Sequence, residues 1–192
     1  MPAPVSSDDD DRLHRLLTLR HGATPERALR FVDRLPGVPV DAMLGRWHGA
    51  GWHTGHPWDG LLEAFGWYGK EFRSADDVRP LLVRDAAGNP RPVDPALVPV
   101  GLLRRRPELG RTAAARGAFR AVRPFLGRGR SAGRLRMMEH RAIEHGVVTA
   151  ALVYDDVPVI DLFRRVTADL VVGAADIRGH AAPLLFVLRR AG

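Results

Sequence analysis

After residue 132 the chain consists almost entirely of short apolar runs joined by turns. Runs at 135–143, 147–154, 157–166, 170–175 and 184–188 are separated by Glu144-His145-Gly146, Asp155-Asp156, Thr167-Ala168-Asp169 and Arg178-Gly179-His180. Connections this short join antiparallel neighbours, because a parallel partner needs a crossover of about a dozen residues or more. The pattern therefore predicts an antiparallel meander of five strands over 133–192. Earlier segments at 38–47, around Phe72, at 78–83 and at 91–93 supply three or four further strands. Together these suffice to close a small antiparallel β-barrel, whose interior holds side chains or one small ligand.

The remaining segments punctuate that barrel. Residues 1–8 are expected to be disordered, and the run Asp8-Asp9-Asp10-Asp11 is expected to complement the dipole at a helix N-terminus. Leu13, Leu16, Leu17 and Leu19 predict a helix stopped at Gly22. A second is capped by Thr24, has Pro25 at its first position and ends at Pro36. Both are expected to cover one end or side of the barrel. Residues 61–67 fit a short helix or a strand equally well. Residues 101–132, broken by Pro107, Gly110, Pro124, Gly127 and Gly129, carry one helical stretch at 112–122 and connect the two halves of the sheet. The organisation expected is a tail with N-terminal helices (1–36), a first barrel half (37–100), an arginine-rich connection (101–132) and a second half of the same barrel (133–192).

At 192 residues and 45% hydrophobic content, one domain with a substantial core is expected. No apolar run reaches the length of a membrane span. The acidic start is unlike a signal peptide, and with no cysteine in the chain a cytoplasmic protein is the expectation. The net charge of +7 raises nucleic acid as a partner. Against it, arginine replaces lysine almost everywhere and is spread along the chain, so no nucleic-acid partner is expected. The exception is the crowding of Arg104, Arg105, Arg106, Arg111, Arg116, Arg120, Arg123, Arg128, Arg130, Arg134 and Arg136, read as a solvated helix face or linker.

Residues 45–72 are the candidate functional stretch. All four tryptophans (Trp47, Trp52, Trp58, Trp67), three histidines (His48, His53, His56) and the only lysine, Lys70, lie within it. Amphipathic rings gathered over so few residues line a pocket or plug the end of a core. In Gly45-Arg46-Trp47-His48-Gly49 the glycines let another backbone approach, while the indole fills space and its N–H requires a partner. The three histidines do not predict a metal site, since His48 and His53 point to opposite faces of an extended strand.

Gly45-Arg46-Trp47-His48-Gly49, followed by Thr54-Gly55-His56-Pro57 and by Gly69-Lys70-x-Phe72, resembles the bacterial family named for its GXWXG motif. The run from Tyr154 to Arg164, YDDVPVIDLFR, resembles that family's second domain, a domain of unknown function. The resemblance spans roughly residues 25–190 and implies a lipocalin-like barrel, with no agreed reaction. The chain departs from the family's pattern at Leu162, where a histidine is common, and at Ala142, where a glycine is common, so no role falls to a histidine beside Asp161.

In 157–165 one face carries Val157, Val159, Asp161, Phe163 and Arg165, and the other Pro158, Ile160, Leu162 and Arg164. Whichever face is inward, a charge stands among apolar neighbours and needs a partner from another strand or from a ligand. Lys70 is expected to point into the barrel and to pair with either Asp161 or an acidic or carbonyl group of the ligand: its ammonium is compact and fits a pocket too narrow for a guanidinium. The function expected is binding of a small hydrophobic molecule (a fatty acid, isoprenoid or polyketide) by Trp47, Trp52, Trp58, Trp67, Tyr68, Lys70, Phe72, Arg73, Tyr154, Asp161 and Phe163. The alternative is an enzyme, an isomerase, cyclase or lyase, with Asp161 and Lys70 or His48 as acid and base. A third reading is a haem-binding barrel, with His140, His145 and His180 as candidate ligands; otherwise no cofactor or metal is expected.

Overall fold

A computed structural model of the chain describes residues 7–20, 22–122, 127 and 131–192. Of residues 1–8, read above as disordered, 1–6 lie outside the described residues, as do Arg123, Arg128 and Arg130 of the arginine cluster, whereas Ser7 and Asp8 begin a helix. The first helix, α1 (Ser7–Leu19), opens with Asp8, Asp9 and Asp10 in its first turn, where the N-terminal dipole favours negative charge. Helix α2 (Pro25–Asp33) has Pro25 at its start and the Thr24 side chain accepting from the Arg27 N–H.

The described strands form one antiparallel sheet: β1 (Gly45–Gly51), β2 (Trp67–Phe72), β3 (Val78–Arg84), β4 (Pro90–Pro92), β5 (Gly133–Arg141), β6 (Gly146–Tyr154), β7 (Val159–Thr167), β8 (Leu170–Ile177) and β9 (Leu184–Arg190). Their order is β4-β3-β2-β1-β9-β8-β7-β6-β5, so the five C-terminal strands run as a meander and β9 hands over to β1. The sheet curls until β5 nears β3. At that seam Leu135 N–H donates to Ala75 O (2.7 Å) and Ala132 N–H to Val78 O (3.1 Å), single bonds in place of a ladder. The fold is mainly β and barrel-like.

Several boundaries differ from the sequence reading, and residues 100–105 form a helix that it did not place. Residues 38–44 are not strand: Pro36 and Pro39 have no N–H to give to a ladder, and Asp41–Met43 forms a 3-10 turn closed by the Met43 N–H on Val40 O (3.1 Å) and the Leu44 N–H on Asp41 O (3.2 Å). Strand β1 therefore begins at Gly45 and continues to Gly51. Residues 61–67 divide into a one-turn helix, α3 (Leu61–Ala64), and the start of β2. The connection carries α4 (Val100–Arg105), a 3-10 turn (Pro107–Arg111) and α5 (Ala113–Val122).

The inward face of the sheet is buried, and the outward face is covered where β7, β8 and β9 pass beneath the helices. The inward face buries Trp47, Trp67, Phe72, Leu135, Leu152, Phe163, Phe186 and Leu188. The outward face of β7, β8 and β9 buries Val166, Val172, Ala174, Leu185 and Val187 beneath Leu16 of α1 and Phe31 and Val32 of α2. The glycines of β1 and β2 make the inner packing possible. At Gly49 the Trp67 ring lies where a Cβ would stand, 2.3 Å away. At Gly69, with φ +146°, a Cβ would fall 1.9 Å from the Trp47 carbonyl oxygen. The Trp47 indole N–H donates to Met43 O (2.8 Å), and the Arg190 guanidinium covers the ring at 4.3 Å.

Candidate binding cavity

Register shifts on either side of Gly69, whose φ is +146°, break the alternation of β2, so that Lys70 faces inward like Trp67, directly opposite Trp47 of β1. Asp161 points inward from the middle of β7, and Tyr154 closes the end of β6. The three meet across the interior. Lys70 Nζ lies 2.8 Å from Asp161 Oδ2 and donates to Tyr154 OH at 2.8 Å and to Pro80 O at 3.1 Å. Tyr154 OH in turn donates to Asp161 Oδ2 at 3.0 Å. The ammonium thus makes two hydrogen bonds beside its ion pair with Asp161. The cation also faces the rings of Phe186 (5.2 Å), Tyr154 (5.4 Å) and Trp67 (5.8 Å).

The Lys70 and Asp161 side chains are 5% and 2% exposed, so the pair is desolvated and its geometry, not its charge alone, decides its worth. Burial pushes the Tyr154 phenol well above its ordinary value, and the Asp161 carboxylate beside it adds to the shift. Tyr154 consequently remains a protonated donor at neutral pH.

This cluster borders a cavity of about 100 Å³ whose other walls are almost wholly apolar. Trp67, Ala175, Ile177, Leu184 and Phe186 form its deep part. Half-buried Leu62, Leu81, Val98, Val157 and Val159 lie nearer solvent. The connection between β4 and α5 passes over this side: the Trp58 indole N–H donates to Leu103 O (3.2 Å), and Arg111 Nη2 reaches Pro57 O (2.8 Å) and Asp59 O (3.1 Å).

Of the residues singled out from sequence, Trp58, Trp67, Lys70, Tyr154 and Asp161 come together at this cavity. Trp47, Phe72 and Phe163 are inward but packed within the core, with Phe72 against Phe163 at 5.8 Å. The rest stand elsewhere, and alternation explains most of it. His48 and Tyr68 each follow an inward tryptophan, so they turn outward and stack on one another at 4.0 Å. Arg73 is exposed and pairs with Glu71. Trp52, just past the end of β1, lies on the outer face against Phe31 at 6.1 Å. His140 and His145 are engaged by Arg164 and Asp33, and His180 stacks on His56. Among the described residues no group of three His, Cys, Asp or Glu is placed to hold a metal ion, and no helix is long and apolar enough to cross a membrane. Reasoning from sequence did not single out the cavity's apolar walls, Leu62, Leu81, Val98, Ile177, Leu184 and Phe186.

Two buried histidines give the fold a pH signature. Burial, helped by neighbouring His180 and opposed by Asp59, lowers His56 from 6.5 to about 4. Burial and Arg164, opposed by Asp33 and Asp176, lower His140 from 6.5 to about 4. Both rings stay neutral in the folded protein while the unfolded chain takes up protons below pH 6.5, so stability present above that pH is lost as pH falls towards 4. The melting temperature should decline over this window, and His56→Asn should flatten part of the decline. An unchanged slope in the variant would contradict the assignment to His56.

The residues 30–88 match the family described as GXWXG protein, and residues 131–190 match a domain of unknown function, DUF4334. A crystal structure of a protein from Thermomonospora curvata is similar to this one. It is 31% identical in sequence, with 96% of this chain and 99% of that chain covered, at a TM-score of 0.68. No curated protein matches the chain. With both regions matched in order and a relative of this identity over nearly its full length, the chain belongs to the GXWXG protein family that carries the DUF4334 domain.

Proposed function

We propose that the protein binds a small, mostly apolar molecule whose single polar end meets the Lys70–Tyr154–Asp161 cluster. The observation that carries this reading is a fully desolvated, hydrogen-bonded ionic cluster bordering an otherwise apolar cavity. A buried ion pair is a weak source of net stability, so a role in receiving a ligand gives the pair a use that packing alone does not. Ligand sites commonly combine apolar walls with a few placed polar groups. A cavity of about 100 Å³ takes the polar end and a few carbons, so the remainder of a longer chain runs out past Leu81, Val98 and Val157. The connection passing over that side, held by Arg111 and Trp58, is then what moves to admit it. A fatty acid, isoprenoid or polyketide fits as a chain entering end-on, and a hydroxyl or aldehyde suits a cluster that already contains its own carboxylate.

Octanol, octanal and octane test the reading. The first two should quench Trp58 and Trp67 emission saturably, while octane binds more weakly. Tyr154→Phe keeps the ring and the Lys70–Asp161 pair, and should weaken octanal binding about tenfold, the worth of one desolvated hydrogen bond. Equal affinity of octane, or of the phenylalanine variant, would sink the proposal.

A second reading, acid–base chemistry on the bound molecule, is favoured by one feature. Tyr154 is a protonated hydroxyl held between an ammonium and a carboxylate, an arrangement suited to passing a proton to a substrate oxygen. On that reading Asp161→Asn abolishes turnover while ligand is still retained, whereas parallel loss of melting temperature and retention would assign Asp161 to structure.

A further inference from the structure

Asp161 commits only one of its two carboxylate oxygens to the cluster. Lys70 Nζ (2.8 Å) and Tyr154 OH (3.0 Å) both meet Oδ2, and among the described residues no group donates to Oδ1. A buried carboxylate oxygen ordinarily collects donors of its own. Oδ1 is nevertheless not sealed in the core. The buried side-chain atoms that lack both a partner and accessible surface belong to Trp52, His56, Asp59 and His180, and Oδ1 is not one of them. Asp161 as a whole is 1% exposed and lines the apolar cavity with Trp67, Ile177 and Phe186, so the surface that Oδ1 keeps opens on that cavity. It is a proton acceptor with nothing to accept until a ligand enters.

A matched donor stands beside it. Burial and the Asp161 carboxylate raise the Tyr154 phenol, which therefore holds its proton, and Lys70 Nζ donates to the phenol oxygen from behind at 2.8 Å. An acceptor for a C–H proton and a donor to the adjoining carbonyl oxygen are the two groups that enolisation requires. One carbon separates a carbonyl oxygen from its α-carbon. An oxygen that accepts from Tyr154 thus brings its α-hydrogens beside the neighbouring carboxylate.

We propose that the site enolises aliphatic aldehydes, with Asp161 Oδ1 removing a proton from the α-carbon while Tyr154 protonates the carbonyl oxygen. The inference rests on the reading that the cavity receives an aldehyde end. The α C–H pair becomes the C=C bond, and the C=O π pair moves to the oxygen, which takes the Tyr154 proton. Lys70 Nζ passes a proton to the Tyr154 oxygen in turn, so the phenol never carries charge. The carboxylate has then become a carboxyl and the ammonium an amine, and the two charges are lost together. The reverse steps restore the aldehyde and the ion pair. A proton exchanged with water at Asp161 before the return appears at the α-carbon. Oδ1 lies on one side of the bound chain, so only one of the two α-hydrogens exchanges.

Octanal in deuterated buffer tests this on the full chain, with deuterium at the α-carbon followed by proton NMR. Exchange should saturate with octanal and run about a hundredfold faster than with the same chain unfolded in urea, which offers the same side chains unassembled. One α-hydrogen should exchange and the other persist. Asp161→Asn should lower the rate about a hundredfold while octanal still quenches tryptophan emission, and Tyr154→Phe should lower it further than its loss of affinity explains. Saturation and stereochemistry on the wild-type protein decide the question even if the asparagine variant does not fold. Saturable quenching with exchange no faster than in the unfolded chain would overturn the proposal and leave the binding reading standing, whereas absence of quenching would overturn both. Equal exchange of the two α-hydrogens would also overturn it. So would an octyl adduct on Lys70 trapped by cyanoborohydride, which would assign the exchange to an imine of the chain's only lysine.

Discussion

Asp33→Ala should destabilise the protein by about 4 kcal/mol or more, a large share of the stability of a domain this size. The Asp33 carboxylate, at the end of α2, accepts from four consecutive backbone N–H groups in the β5–β6 turn: Ala142 and Ile143 (3.1 Å each), Glu144 (2.9 Å) and His145 (3.0 Å). His145 Nδ1 adds a contact at 2.9 Å. Beside it the fully buried Arg164 guanidinium is held by the carbonyls of Leu35 (2.6 Å), His140 (2.8 Å) and His145 (3.3 Å). Alanine orphans all four donors and removes an anion near that cation, and each buried unsatisfied group costs about 1–3 kcal/mol before water relieves part of it. Burial by itself would raise the Asp33 pKa, yet the N–H groups of Glu144, His145 and Ile143 with the His145 ring hold it far below the usual carboxylate range. Its contribution is therefore fully present above the unfolded value near 4, falls progressively as pH drops below it, and is gone once the folded carboxylate is protonated. Chemical denaturation of Asp33→Ala and Asp33→Asn measures the effect, with the asparagine variant, which keeps one acceptor oxygen, falling between. A loss under about 1 kcal/mol for alanine would show that the turn stands without its anchor.

Lys70→Met should cost about 3–5 kcal/mol, because it leaves Asp161 buried without its cation. The double change Lys70→Met with Asp161→Asn removes both charges and should recover most of that loss, since a buried ion pair is a weak source of net stability. Binding of octanal should not recover with it. Lys70→Arg should lose binding as completely as Lys70→Met, because a planar guanidinium cannot occupy a site shaped by Pro80 O, Tyr154 OH and Asp161 Oδ2 around one nitrogen. Full binding by the arginine variant would remove the reason for a lysine at this position.

Much of the architecture is legible in the sequence. The C-terminal meander follows from turn spacing, α2 from Thr24 and Pro25, and the inward aim of Lys70 and Phe72 from alternation on either side of Glu71. That Asp161, an acid among apolar neighbours, and Lys70, the one compact cation, each need a partner is legible too, but the sequence leaves open whether they meet each other or a ligand; the structure pairs them. What alternation cannot separate is a strand covered on both sides. In β9 the run Leu184-Leu185-Phe186-Val187-Leu188 is apolar throughout because α1 and α2 cover its outer face, so Phe186 gives no sign that it faces Lys70. Trp52 was unreadable for a related reason: the outer face beneath α2 is as dry as the barrel interior, and a buried indole suits either. Asp33 carries no local signal, since its partners lie more than a hundred residues away, and Arg164 is visible only as a charge among apolar neighbours, because its partners stand on two distant segments.

The central claim is that the Lys70–Tyr154–Asp161 cluster receives the polar end of an apolar ligand. A crystal structure of the octanal complex tests it most directly. The account predicts the aldehyde oxygen within hydrogen-bond distance of Tyr154 OH or Lys70 Nζ, with the carbon chain leaving between Leu81, Val98 and Val157. An aldehyde oxygen turned to solvent, or octanal bound only away from this cavity, would contradict it.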